Sequence, residues 1–438
     1  MSGFPSGGTA IDRAIAIGSQ SLNNNTQDDI LGIGYRTLNV NTGTNNLAIG
    51  NNALENNTSG QSNLAIGKSA LQNNTTGSGN SALGISVLTN TTTASNNTAF
   101  GNNILTSVTD GENNIGIGSD LLQANTTGSN NVAIGANLLP LNTTGNQNNA
   151  IGVGAQALNT TGTFNNSMGA YALGSNQTGV NNVGIGNFTL ASLQNVNGNL
   201  AIGGTTLASS VAGTNQTAMG AQALRESTSI IATFGAITPG SGYTDGTYSG
   251  VELEVDYTRP LESVVGAFRP TADITVAGGV VTVVTLVAPG KAIRASTVCT
   301  IYAASAPAGL LTGTGFSIPV STLTSATQNT AMGFDAGRLN ITGSRNVFLG
   351  YQAGRSETTD DNLYISNTNT STPLIKGKFD SAGGNLGSVR VYGDLQVTTK
   401  TPASAAATGT VGTITYDNDY IYVCIAANTW KRVAISTW

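Results

Sequence analysis

The sequence predicts an all-β protein built on a parallel β-solenoid of 16–17-residue coils. Three observations carry this. The phrase NLAIG at 63–67 recurs in near copies, and its glycine falls at Gly18, Gly34, Gly50, Gly67, Gly84, Gly101, Gly118, Gly135, Gly152, Gly169, Gly186, Gly203 and Gly220, two steps of 16 residues followed by ten of 17. Other columns keep the same register. Asparagine stands four residues before the glycine (Asn46, Asn63, Asn80, Asn97, Asn114, Asn131), a small residue two before (Ala48, Ala65, Ala82, Ala99) and leucine four after (Leu54, Leu71, Leu88, Leu105). The period then lapses after Gly220 and returns at Gly333 and Gly350, the gap of 113 residues being one 17-residue step plus 96.

Taken in order, residues 1–14 form a short N-terminal segment and 15–226 the repeats. A 17-residue unit is too short for a helical-hairpin repeat, and turns such as Asn74-Thr75-Thr76-Gly77 break each apolar phrase before a helix could complete three turns. One coil cannot stand alone. Burying its Ile and Leu gains roughly 3–6 kcal/mol, whereas ordering its backbone costs on the order of 17–34 kcal/mol. Stacking must supply the rest through ladder hydrogen bonds and columns of like side chains. The Asn column is expected to bond to itself and to the turn backbone, and the glycine to permit the corner. About fifteen coils at ~4.8 Å each make a rod of roughly 70 Å. Alternation sends Leu64 and Ile66 to one face and Ala65 to the other. The large pair is expected inside the roll, leaving the Ala/Gly/Ser column as a flat outer strip where another chain can approach. In the Gly152 coil the leucine is expected to slip to Leu158.

Residues 227–324 change composition and predict an inserted antiparallel β-domain, with a hairpin in DITVAGGVVTVVTLV turning at Gly278-Gly279. Solenoid coils resume over 325–355, a β-rich neck follows over 356–400, and a small C-terminal β-module over 401–438 begins with a linker-like Pro/Ala/Ser/Thr stretch. An insertion in a solenoid commonly lies on a binding face, and the alternative is a spacer. Tyr243 and Tyr248 in GSGYTDGTY, with Tyr420, Tyr422, Trp430 and Trp438 in the aromatic terminus, are therefore the candidate receptor contacts, against the plainer reading of core packing.

Charged residues are only 9% of the chain, the net charge is −5 and there is no histidine. Such a chain offers no basic stripe for nucleic acid. Cys299 and Cys424 lack companions for a zinc site and read as small buried hydrophobes. No metal or other cofactor is expected, and no segment is long and apolar enough for a membrane helix. The N-terminus has no secretory signal pattern, so synthesis in a host cytoplasm is expected.

The NxAIG phrase resembles the head repeat of YadA-like trimeric autotransporter adhesins. The same phrases with NTTG turns are similar to tail-fibre and other virion fibre proteins of bacterial viruses, as are GSGYTDGTY, NVFLGYQAGRSETTDDNLYISNTNTSTPLIKGKF with GDLQV, and the last stretch from PASAAATG, which looks like the terminal module of structural proteins of cyanobacterial viruses. This resemblance implies a left-handed roll, a homotrimeric fibre, and a virion appendage on tail or capsid. It also implies other virion proteins and a host surface glycan or protein as partners. The expectation is attachment by binding, without enzymatic activity. The alternatives are a capsid decoration fibre or a polysaccharide depolymerase. Asp28/Asp29, Asp110/Glu112, Asp360/Asp361 and Asp417/Asp419 are the acid pairs such an enzyme could use. Ice binding is a further alternative, disfavoured because the Thr-Thr pairs lie in turns.

Overall fold

A computed structural model describes residues 13–192, 195–209, 213–225, 230–254, 269–289, 298–303, 305–324, 326–379, 388–391 and 401–436. The repeats build a parallel β-solenoid, and their strands belong to one 18-stranded sheet that also takes in three strands beyond the rod. Like stacks on like, as Leu47 on Leu64, Ala48 on Ala65 and Ile49 on Ile66. After the insertion the stack closes in register, with Thr217, Ala218 and Met219 beside Thr330, Ala331 and Met332.

The coil is turned inside out relative to the sequence expectation. Ala48, Ala65, Ala82 and Ala99 are fully buried, while Leu64 and Ile66 lie on the outer side, partly exposed. The interior has a physical reason for this choice. Leu54, Leu71, Leu88 and Leu105 already fill it, fully buried, and a coil this short leaves room opposite them only for a methyl group. Where leucine gives way to glycine the rule inverts. Gly337 and Gly354 leave space that the buried Phe348 occupies, and a Cβ on Gly337 would come within 2.5 Å of its ring.

Leucine holds its place at a conformational cost. Leu54, Leu71, Leu88 and Leu105 have φ between 48° and 53°, a left-handed backbone that costs a non-glycine residue about 1–2 kcal/mol. Full burial of the side chain returns about 1.5–3 kcal/mol, so the position pays only for a large apolar residue. The corner glycine is stricter. Gly101 has φ +139°, and any Cβ there would run into the carbonyl of Gly118 in the next coil.

Asparagine forms the expected ladder. Asn114 donates its backbone N–H to Asn97 Oδ1 at 2.9 Å and its Nδ2 to the turn carbonyl of Gly128 at 2.9 Å, and Asn131 repeats both bonds one coil on. A second column links successive turns through side chains, Asn74 Nδ2 donating to Asn57 Oδ1 at 2.6 Å and Asn142 Nδ2 to Asn125 Oδ1 at 2.8 Å. The Gly152 coil departs from expectation. Leu158 is exposed, and Gln156 takes the leucine position with φ 51°. Its Nε2 reaches Asn149 O at 2.9 Å and Ser167 Oγ at 2.9 Å, so a polar pair replaces the usual Leu–Ala contact.

The inserted segment forms an antiparallel 7-stranded sheet. Thr271–Ala277 and Val280–Ala288 make the expected hairpin, with φ +64° and +76° at Gly278 and Gly279. Beyond the rod, Asn362–Ile365 adds in parallel to Val347–Leu349, and Ile375–Lys378 and Ser388–Val391 follow antiparallel. A separate three-stranded sheet comprises Ile414–Tyr416, Tyr420–Ala426 and Thr429–Ala434. The stretch before it is no free linker. Trp430 donates its backbone N–H to Ala405 O at 2.9 Å and its indole Nε1 to Ala407 O at 3.0 Å, so that stretch lies on the sheet. Both cysteines are buried, and burial pushes the Cys299 thiol up to about 12.

Candidate functional site

In the inserted sheet the tyrosine-rich motif is a clasp. Asp245 accepts the backbone N–H of Gly279 at 2.8 Å and pins the hairpin turn. The N–H groups of Gly279 and Gly278 hold its carboxyl below the usual range. Tyr243 is buried, with its hydroxyl accepting the N–H of Phe316 at 3.2 Å, and its ring packs inside the sheet. Tyr248 is half-buried and donates to Thr244 O at 2.9 Å. Tyr243 supports the fold from inside, whereas the half-buried Tyr248 keeps part of its ring towards solvent.

In the C-terminal sheet the cross-strand register brings the aromatic candidates together. Tyr422 stands opposite Arg432 and Cys424 opposite Trp430, so Tyr420, Tyr422, Trp430 and Arg432 share one face. The Arg432 guanidinium lies 4.0 Å from the centre of the Tyr420 ring. Tyr422 donates to Asp417 Oδ2 at 2.6 Å, and Thr401 donates to the same oxygen at 2.9 Å. The Tyr422 hydroxyl, then the Asp419 N–H, the Thr401 hydroxyl and the Tyr420 N–H, hold the Asp417 carboxyl down at about 2. Between this face and residues 401–405 lies a cleft of about 480 Å³. Trp438 lies outside the described residues.

The acid pairs are largely committed to structure. Asp29 pairs with Arg13 at 2.9 Å. Asp110 accepts from the Thr93 hydroxyl one coil away, and Glu112 stands exposed in the same turn. Arg345 grips Asp361 through Nε at 2.6 Å and Nη2 at 2.9 Å, and reaches Asp360 at 3.2 Å, tying the last coils together. Asp417 caps its own turn by accepting the Asp419 N–H at 2.9 Å.

What sequence reasoning missed is the outer apolar face. Ile15, Ile117, Ile134, Met168, Ile185 and Met332 are each more than a third exposed. Beside that column, exposed rings stack along the rod, Tyr171 on Phe188 at 5.3 Å and Phe334 on Tyr351 at 5.5 Å. The signal was present in the sequence. A leucine repeated in most coils and facing a small residue leaves no space inside for two more large strand residues.

Comparison with known proteins gives a narrow but informative match. A 44-residue stretch, 10% of this chain, is 52% identical to a capsule K30/K69-specific depolymerase of Klebsiella phage K64-1 and covers 6% of that protein. A 41-residue stretch is 51% identical to depolymerase 1, also capsule K30/K69-specific, of Klebsiella phage K5-2, covering 5% of it. The chain thus spans only a small part of the length of these curated relatives. No family model and no solved structure matches. The expectation of a chain without enzymatic activity does not stand, because both relatives bear the names of enzymes. Neither relative is an adhesin or a cyanobacterial virus protein by name. Among the described residues no helix is long and apolar enough to cross a membrane.

Proposed function

We propose that this chain is part of a phage tail appendage of the depolymerase kind, a stiff rod that takes hold of a host surface polysaccharide and degrades it. The observation that carries this reading is the stretch shared at about half identity with two phage depolymerases named for capsule. The solenoid supports it physically, because a stack of identical ladders gives a long, rigid surface along which a polymer can make repeated contacts. Incubating the full chain with purified Klebsiella K30 and K69 capsular polysaccharide tests it. New reducing ends and falling viscosity are expected. Retention of the polymer without cleavage would reduce the reading to an attachment fibre, and neither retention nor cleavage would sink it.

The rod is proposed to work as a homotrimer. Exposed isoleucine, methionine and aromatic columns repeat at the coil spacing from Ile15 to Tyr351. A patch of this length calls for a partner, and only a surface with the same pitch can meet every row. Another copy of the chain has that pitch by construction. The C-terminal sheet adds a second such face, with Ile414, Ile421, Ile425 and Val433 exposed on the side away from Trp430.

A further inference from the structure

The cleft in the C-terminal module has walls that combine aromatic rings, hydroxyls and a guanidinium. It is lined by Thr401, Ser404, Tyr422, Trp430 and Arg432, among others, and no carboxylate lines it. Lys431 also lines the cleft, although the strand register points the side chain of Arg432 to this face and that of Lys431 to the other. Its walls are fixed before any ligand arrives. Trp430 is tied to Ala405 and Ala407 at 2.9 and 3.0 Å, and Tyr422 and Thr401 are held by one oxygen of Asp417 at 2.6 and 2.9 Å. Asp417 stays ionised behind these two walls, and the cationic residues of the lining are Arg432 and Lys431. The volume of about 480 Å³ exceeds the need of a single sugar ring and sits within the usual range of ligand pockets.

We propose that this cleft binds one hexuronate unit of an acidic polysaccharide, with the sugar ring against the Trp430 wall and its carboxylate on the Arg432 guanidinium. Aromatic walls take the C–H face of a pyranose, and a planar guanidinium matches a carboxylate through two parallel hydrogen bonds. The hydroxyls of Thr401 and Ser404 line the same cleft and retain acceptor capacity for a sugar hydroxyl. This assignment rests on the polysaccharide reading above and adds the site and the charge class of the sugar.

The test uses the full chain in a Trp438→Phe background, so that Trp430 is the one fluorescent indole. D-glucuronate, D-galacturonate and D-mannuronate are titrated beside glucose, galactose and mannose. At least one uronate is expected to change the fluorescence saturably, with its neutral counterpart at least ten times weaker. Arg432→Gln should erase that preference and Arg432→Lys should restore part of it. No response to any of the three uronates, an equal response to the neutral sugar, or an unchanged preference in Arg432→Gln would overturn the proposal. Failure here can be told from failure of the wider reading. Wild-type chain that still binds or cleaves capsule while ignoring uronates removes only this site. Uronate binding by a chain inert towards capsule removes only the polysaccharide-degrading role.

Discussion

The rod and the inserted sheet sort the same residue types in opposite ways. In the inserted sheet the large apolar residues Val251, Leu253, Ile274, Val276, Phe316 and Ile318 are buried, as alternation over a broad layer suggests. In the rod the strand residue two before the corner glycine is buried and in most coils small, as at Ala99 and Ala133, while Phe100, Ile134 and Met168 stand outside. The difference lies in cross-section. A sheet can add width until its large residues are covered, whereas a 17-residue coil closes around its leucine, the residue before it, such as Ala70 or Ile104, and one small strand residue. Which face of a strand is the inside is therefore decided by the enclosed volume, and alternation alone cannot decide it.

Substitutions in the rod can break this comparison. Gly101→Ala should have the largest effect, because it adds a Cβ at φ +139° against the Gly118 carbonyl. A loss of about 3 kcal/mol or more is expected from strain and overpacking together, read from denaturant midpoints of the full chain. Leu105→Ala should cost about 2–5 kcal/mol, since it empties a fully buried position, and wild-type stability in this variant would mean that leucine is not the filler. Asn114→Ala should cost about 1–3 kcal/mol, because the buried N–H of Asn131 loses its acceptor, while the Gly128 carbonyl keeps the Asn125 amide.

A gentler variant sharpens the same point. Gln156→Leu with Ser167→Ala restores the common interior to the odd coil and removes a buried Gln156 Oε1 that has no partner. The pair should stabilise by about 1 kcal/mol, whereas either change alone should do less or destabilise. The pair would disprove the assignment of Gln156 to the leucine position by costing stability.

Much of the fold was legible because the repeat is arithmetic. The glycine period located the stack, the resumed phrase at Gly333 put the insertion inside one coil, and Gly278-Gly279 marked a hairpin the structure contains. The faces were illegible from alternation, since the two strand faces of NLAIG are both apolar. Leu158 was misplaced because leucine was sought by identity, and the slot is defined by backbone position, where glutamine sits. The candidate rings divide in the same manner. Sequence could mark Tyr243 and Tyr422 as aromatic, yet the partners Phe316 and Asp417 that fix their roles come from other strands and turns.

The outer face gives the most direct test of the inside-out coil. Ile117→Ser with Ile134→Ser alters two exposed side chains and should change the stability of an isolated chain by under about 1 kcal/mol. The effect should fall on assembly. Light scattering on the purified chain should give about three times the 44.2 kDa chain mass, and the double variant should shift towards one. A wild-type chain that runs as a monomer would contradict this account, as would a variant that unfolds while the wild type remains intact.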